Sequence, residues 1–384
     1  MKKIFILLMS FISFVTFAQD KAIAYYTLGK DTTIIQHFEF ADNKYKTVFI
    51  MFTGGITKCE ATGTLDEKGD LLQVSSLNYR LGANGNWELT SRGENNFNGD
   101  SSIYIAINPQ GTIVSRRSFS GNGIVANGMD IASFYTFPYM GFYAPKKIAD
   151  TNFHRQLSFN GFRKYMVARE AKDKIRIGSN LMGYLVNTID KKGRLQHIDG
   201  VGSSLNIIGK IDREKTDVAL LDEYARRKNA SGTQVVRTVR DTAVIMLGNT
   251  KIEVDYWRPH KRGREIFGSV VPWDRIWRTG ANNATQLRLS NDITIGDKKL
   301  SKGIYGIWSF LTEAKWELII NKNANAWGTD HDPAADIFRI PYKVEKINEP
   351  VEILKITFVK ENERKAAMVI EWDIYKAVVA VATE

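Results

Sequence analysis

From residue 19 onward the chain is written in short runs of alternating apolar and polar residues, each closed by a turn signal, and apolar spacing of helical period is nearly absent. Alternation of period two puts successive side chains on opposite faces of a pleated strand, so this pattern commits the chain to sheets. In the first half, Thr47 to Phe52, Leu71 to Leu81, Ser102 to Asn108, Ile113 to Phe119 and Lys174 to Ile177 read as strands. Asp66-Glu67-Lys68-Gly69, Asn84-Gly85-Asn86 and Asn108-Pro109-Gln110-Gly111 read as turns between strands. An antiparallel meander is expected, curved toward a half-barrel. A cluster of Phe134, Tyr135, Phe137, Tyr139, Phe142 and Tyr143 interrupts it. Such a cluster suits a core that closes the sheet, an apolar ligand pocket, or a surface that stacks on sugar rings.

One stretch breaks the pattern. After Thr216, read as an N-cap, Val218, Leu221 and Ala225 fall on one helical face, with Arg226-Arg227-Lys228 late and Gly232 as a stop. A one-sided helix packs on a domain, so the boundary is placed just beyond it. The expected division is a signal peptide over 1–18, an antiparallel β domain over 19–231 and a second β domain over 232–384. In that second part Ala243 to Leu247, Lys251 to Tyr256, Gln286 to Leu289, Ile304 to Phe310 and Trp316 to Ile320 read as strands. Ile337 to Val344, Ile353 to Val359, Ala367 to Trp372 and Tyr375 to Val381 continue them. The expected fold class is all-β: the curved sheet or half-barrel, a short linking helix, and a C-terminal β-sandwich of jelly-roll type.

The signal-peptide reading rests on Lys2 and Lys3 before an apolar run from Ile4 to Phe17 that ends in small residues at Thr16 and Ala18. That run is shorter than the roughly 20 residues a helix needs to cross a bilayer. Export with cleavage after Ala18 is therefore expected, to a periplasmic or secreted location, with no transmembrane segment once the signal is removed. Cys59 is the only cysteine, so no internal disulfide forms and stability has to come from apolar packing. The net charge of +11 favours anionic partners. The basic residues are spread along the chain without a nucleic-acid motif, which argues against nucleic acid.

The most specific stretch runs through Val254-Asp255-Tyr256-Trp257-Arg258-Pro259, Lys261-Arg262-Gly263-Arg264-Glu265-Ile266-Phe267-Gly268, Val271-Pro272 and Trp277-Arg278-Thr279-Gly280-Ala281-Asn282-Asn283-Ala284-Thr285. It continues through Gly303-Ile304-Tyr305, Trp316 to Asn321, Trp327-Gly328, Asp332, Asp336, Arg339 and Glu371-Trp372. With these residues the last two fifths of the chain resembles the bacterial domain-of-unknown-function family numbered 2911. The resemblance implies Glu after the Ala-Asn pair, where this chain has Asn283. If that acid carries an acid/base role in relatives, this chain lacks it.

Within this signature Arg258, Lys261, Arg262, Arg264 and Arg278 supply cations, and Asn282 and Thr285 supply neutral donors and acceptors. Guanidinium groups hold carboxylates and phosphates through paired hydrogen bonds, so their convergence would make an anion site. The competing role is to pin loops to carbonyls and to acids such as Asp274 or Asp336. No metal site is expected, because His37, His154, His197, His260 and His331 show no ligand spacing. His331 beside Asp332 is read as a chance neighbour on the surface. No phosphate loop, dinucleotide fingerprint or Gly-x-Ser-x-Gly elbow is present, and no cofactor is expected. Two functions remain: an envelope module that binds an anionic small molecule or glycan, or a glycan or ester hydrolase with carboxylates assembled across strands.

Overall fold

The computed structural model describes residues 20–41, 43–67, 71–98, 101–120, 125–129, 151–158, 161–179, 183–203, 205–232, 235 and 238–384. Residues 1–18, expected to be a signal peptide, and the aromatic cluster from Phe134 to Tyr143 lie outside the described residues.

The first half is one fifteen-stranded sheet. Its strands are β1 (Asp20–Leu28), β2 (Asp31–Ala41), β3 (Lys44–Met51), β4 (Thr57–Leu65), β5 (Leu71–Leu81), β6 (Trp87–Asn98), β7 (Ser101–Ile107) and β8 (Ile113–Ser120). They continue as β9 (Val125–Met129), β10 (Thr151–Ser158), β11 (Gly161–Ala171), β12 (Lys174–Ser179), β13 (Gly183–Ile189), β14 (Leu195–Asp199) and β15 (Ile208–Asp212). The order across the sheet runs from β8 down to β1, then from β15 down to β9, and only the β9–β10 pair is parallel. Hairpin turns join most neighbours, so local alternation and turn residues suffice to specify the meander. β5 approaches β9 and β8 approaches β11, strands far apart along the path, so the sheet curls. Among the described residues no ladder joins β8 to β9 and closes it into a barrel.

At the middle of the sheet both faces are covered, and alternation gives way to continuous burial. Ala22, Ile23 and Ala24 are all fully buried. Ala22, Ala24, Ile34, Phe38 and Phe40 enter one core, and Ile23, Ile35, Ile50 and Phe52 enter another on the opposite face. Cys59 belongs to the first core, and burial pushes its thiol up to about 12, which suits a packing residue rather than a nucleophile. The second core is capped by α1 (Ala219–Ala230), whose Leu221 and Ala225 are buried. The helix starts later than Thr216 predicts. Val218 occupies the cap position without a side-chain bond, and Asp217 Oδ1 instead accepts from the Ala219 N–H at 2.9 Å. Val218 itself is exposed. Val235, beyond the helix, still packs in this core and bridges to Thr53.

The second half is a sandwich of two sheets. The larger has seven strands: β16 (Val239–Leu247), β17 (Thr250–Arg258), β18 (Arg275–Trp277), β19 (Thr285–Leu289), β22 (Gly303–Leu311), β23 (Trp316–Asn321) and β24 (Asp336–Pro341). The smaller has four: β20 (Ile293–Ile295), β21 (Lys298–Leu300), β25 (Lys343–Lys360) and β26 (Lys365–Ala382). Ile252, Val254, Leu287, Ile307 and Leu318 from one sheet meet Ile293, Ile295, Leu354, Ile356 and Met368 from the other in a shared core. Burial of inward residues from two facing sheets is what holds a sandwich together. The larger sheet runs β16-β17-β19-β22-β23-β24 and the smaller β21-β20-β26-β25. A jelly-roll winding is a finer description than these ladders carry.

Two predicted strands, Ala367 to Trp372 and Tyr375 to Val381, are one continuous strand, β26, with Asp373 at φ 51° where the register shifts. Pro350, which cannot donate to a ladder, lies opposite this irregularity on β25. Among the described residues no helix is long and apolar enough to cross a membrane.

The halves touch through the loop after β17. Arg262 Nη1 pairs with the Asp31 carboxylate, and the Lys30 N–H donates to the Arg262 carbonyl at 3.3 Å. Gly29 makes this approach feasible. Its φ is +60°, and a Cβ there would stand 2.2 Å from the Arg262 oxygen.

Candidate functional site

The signature residues fall on the loops from β17 to β18 and from β18 to β19. Arg262, Asp274, Thr279 and Asn282 all hold positive φ there, four of the seven non-glycine residues that do so among those described. Such backbone persists only where its surroundings over-determine it. For Thr279 they do: it is fully buried, its hydroxyl meets Ser309 Oγ at 2.7 Å, and its carbonyl accepts from Thr285 Oγ1 at 2.9 Å.

These loops wall a cavity of about 440 Å³. The opposite wall comes from the first half, through Leu28, Gly183, Gly202, Ser203, Leu205 and Asn206. Arg264, Arg275, Arg278, Asn282 and His331 line it from the second half, and no Asp or Glu does among the described residues. A lining with three guanidinium groups and no carboxylate gives the cavity a positive potential, tempered at Arg264 by Glu352 and Asp31 nearby.

The six candidates divide between two kinds of position. Arg258 donates from Nη1 to Asp241 at 3.0 Å and from Nε to the Leu354 carbonyl at 3.1 Å, which ties β17 to its neighbours. Lys261 pairs with Asp373. Thr285 is fully buried under Thr279. These three are supports and do not line the cavity. Arg264, Arg278 and Asn282 do.

Arg264 donates from Nε to the Lys261 carbonyl at 3.0 Å and from Nη2 to the His260 carbonyl at 2.6 Å. Burial, helped by the charge of Arg262, lowers its pKa to about 10. Arg278 is more exceptional. Its Nη1 reaches the Gly328 carbonyl only at 3.4 Å, its Nε is buried without a partner, and no carboxylate pairs with it among the described residues. Burial alone pushes this guanidinium down to about 10. Gly328 makes room for it: a Cβ there would stand 1.9 Å from Arg278 Cδ and 2.1 Å from the Asn282 carbonyl. Two further lining residues, Trp308 and Trp372, carry indole N–H donors that are buried and unpartnered.

His331 is not the chance surface neighbour that its position beside Asp332 suggests. Its ring is 9% exposed, its Nε2 bonds to Asp336 Oδ1 at 2.8 Å, and it lies edge-on to Trp308 with ring centroids 4.9 Å apart.

Residues 239–381 match the model of a family described as "Protein of unknown function (DUF2911)". The DUF2911 portion therefore contributes every charged residue described in the cavity, while the opposite wall lies outside the match. A solved structure of a DUF1089 family protein from Pseudomonas aeruginosa is similar at 11% identity, covering 43% of this chain and 89% of that one. Its TM-score is 0.31. No curated protein matches the chain.

Proposed function

We propose that this is an exported protein that binds an anionic small molecule, or the acidic group of a glycan, in the cavity between its two halves. Arg278 carries the reading. A guanidinium that is half-buried, with its Nε buried and unpartnered, bears a desolvation cost without a counter-charge, and an anion in the cavity supplies the missing charge. Arg264 and Arg275 beside it suit a tetrahedral or planar oxyanion, which guanidinium groups hold through paired bonds. A hydrolase built on paired carboxylates finds no support at this cavity, since neither Asp nor Glu is among its described lining residues.

Inorganic phosphate or sulfate is therefore expected to raise the stability of the protein above that in chloride of equal ionic strength. One anion bound at 100 times its dissociation constant stabilises by about 2.7 kcal/mol. Thermal unfolding in matched salts measures this, and identical curves in phosphate, sulfate and chloride would sink the reading. Export rests on the segment from Lys2 to Ala18. Protein recovered from its native cells is expected to begin at Gln19, and a mass spectrum showing Met1 intact would overturn that part.

A further inference from the structure

Resting on the anion-site reading, we propose that the cavity hydrolyses phosphoesters, with His331 as the general base. His331 Nε2 is held by Asp336 Oδ1 at 2.8 Å, and the same oxygen accepts from Asn321 Nδ2 at 2.8 Å, where Asn321 is 1% exposed. The turn over Pro333–Ala335, capped by Asp332 Oδ1 accepting from the Ala334 N–H at 3.0 Å, returns the chain so that Asp336 meets a histidine five residues earlier. With its proton on Nε2 committed to the carboxylate, the neutral ring keeps its lone pair on Nδ1. A carboxylate behind an imidazole fixes the tautomer and stabilises the imidazolium that forms when Nδ1 takes a proton.

His331 is also the one described lining residue, the arginines apart, with a basic side chain that can accept a proton. A single group must then both take and return the proton. Phosphoester hydrolysis permits this. Water oxygen attacks phosphorus while its proton passes to Nδ1, the bond from phosphorus to the leaving oxygen breaks, and the leaving alkoxide recovers the proton from the imidazolium. The products are the phosphate and the alcohol, and no oxidant or reductant is consumed. Arg264 and Arg278 stabilise charge on the phosphoryl oxygens as it develops. Asp336 is a positioning residue, acting through His331.

The test uses the full chain with para-nitrophenyl phosphate and bis(para-nitrophenyl) phosphate as probes, followed by release of para-nitrophenolate. The wild-type protein is expected to turn over at least one of them. His331→Gln should lower kcat by about 10² to 10⁴-fold and keep the stabilisation by inorganic phosphate. Asp336→Asn should lower kcat and move the acid limb of the pH profile to lower pH, because loss of the carboxylate charge makes the imidazolium easier to deprotonate. A purely structural Asp336 would not move that limb. Wild-type protein stabilised by phosphate but hydrolysing neither ester faster than His331→Gln would overturn the proposal and leave the anion site standing. Absence of phosphate stabilisation would remove the anion site first. Should His331→Gln fail to fold, the wild-type profile decides, and a rate independent of pH from about 5 to 8, across the range where histidine changes charge, overturns the proposal.

Discussion

Replacing Lys261 by alanine is expected to destabilise the protein by roughly 3 to 5 kcal/mol while leaving its stabilisation by phosphate unchanged. Asp373, the partner of Lys261, is 6% exposed and sits in the middle of β26 at φ 51°, where the strand cannot turn its carboxylate toward water without breaking register. Removing the ammonium leaves a buried carboxylate unpaired, and that penalty, rather than the loss of the pair's attraction, sets the size of the effect. The comparison is stringent because Lys261 is only three residues from Arg264 and shares its loop. Its carbonyl, which accepts from Arg264, is backbone and survives the substitution. Urea unfolding of the variant with and without phosphate measures both quantities. A loss below about 1 kcal/mol, the range of exposed pairs, would show that Asp373 is not dependent on Lys261. Loss of the phosphate effect would place Lys261 in the site.

The sheets were readable because their information is local. β5 begins and ends at Leu71 and Leu81, as alternation and flanking turns predict, since a hairpin strand is specified by its own pattern and its two turns. Interruptions misled where tertiary pairing overrides local signals. Asp373 reads as a break between strands, yet the ladder to β25 carries the strand through it. Thr216 reads as a cap, yet the helix begins at Ala219 because Asp217 reaches the exposed N–H.

The site was harder to read for a physical reason. Five basic residues of one signature look alike in sequence, and what separates them is whether a counter-charge arrives from elsewhere. The counter-charges of Arg258, Lys261 and Arg262 come from 17, 112 and 231 residues away. No local pattern encodes those distances. Arg264 and Arg278 line the cavity with no ion pair to an acid among the described residues, and their donors bond backbone carbonyls instead. His331 shows the reverse case. Its signal lay close at hand, in a capping Asp332 followed by Pro333, a combination that starts a tight turn and sends Asp336 back toward the ring.

Replacing Arg278 by methionine should therefore do the opposite of an ordinary core substitution. In buffer without a binding anion the variant is expected to be as stable as the wild-type protein or more so, by about 1 to 3 kcal/mol, as when buried charge gives way to apolar groups of similar volume. The direction follows from the lowered pKa. A guanidinium pushed down to about 10 by burial is held in its charged form against its surroundings at neutral pH, so the charge opposes folding there. Methionine keeps the unbranched stem beside Gly328 and gives up one weak bond, the 3.4 Å contact to the Gly328 carbonyl. In saturating phosphate the order should reverse. The wild-type protein gains the binding term of about 2.7 kcal/mol at 100 times its dissociation constant, and the variant, lacking the unpaired cation, gains little or none. Chemical unfolding of both proteins in chloride and in phosphate gives the four stabilities that decide it. A variant that loses several kcal/mol in chloride would mean that Arg278 is a structural support with partners enough of its own, and the cavity would then lose its claim to an anion.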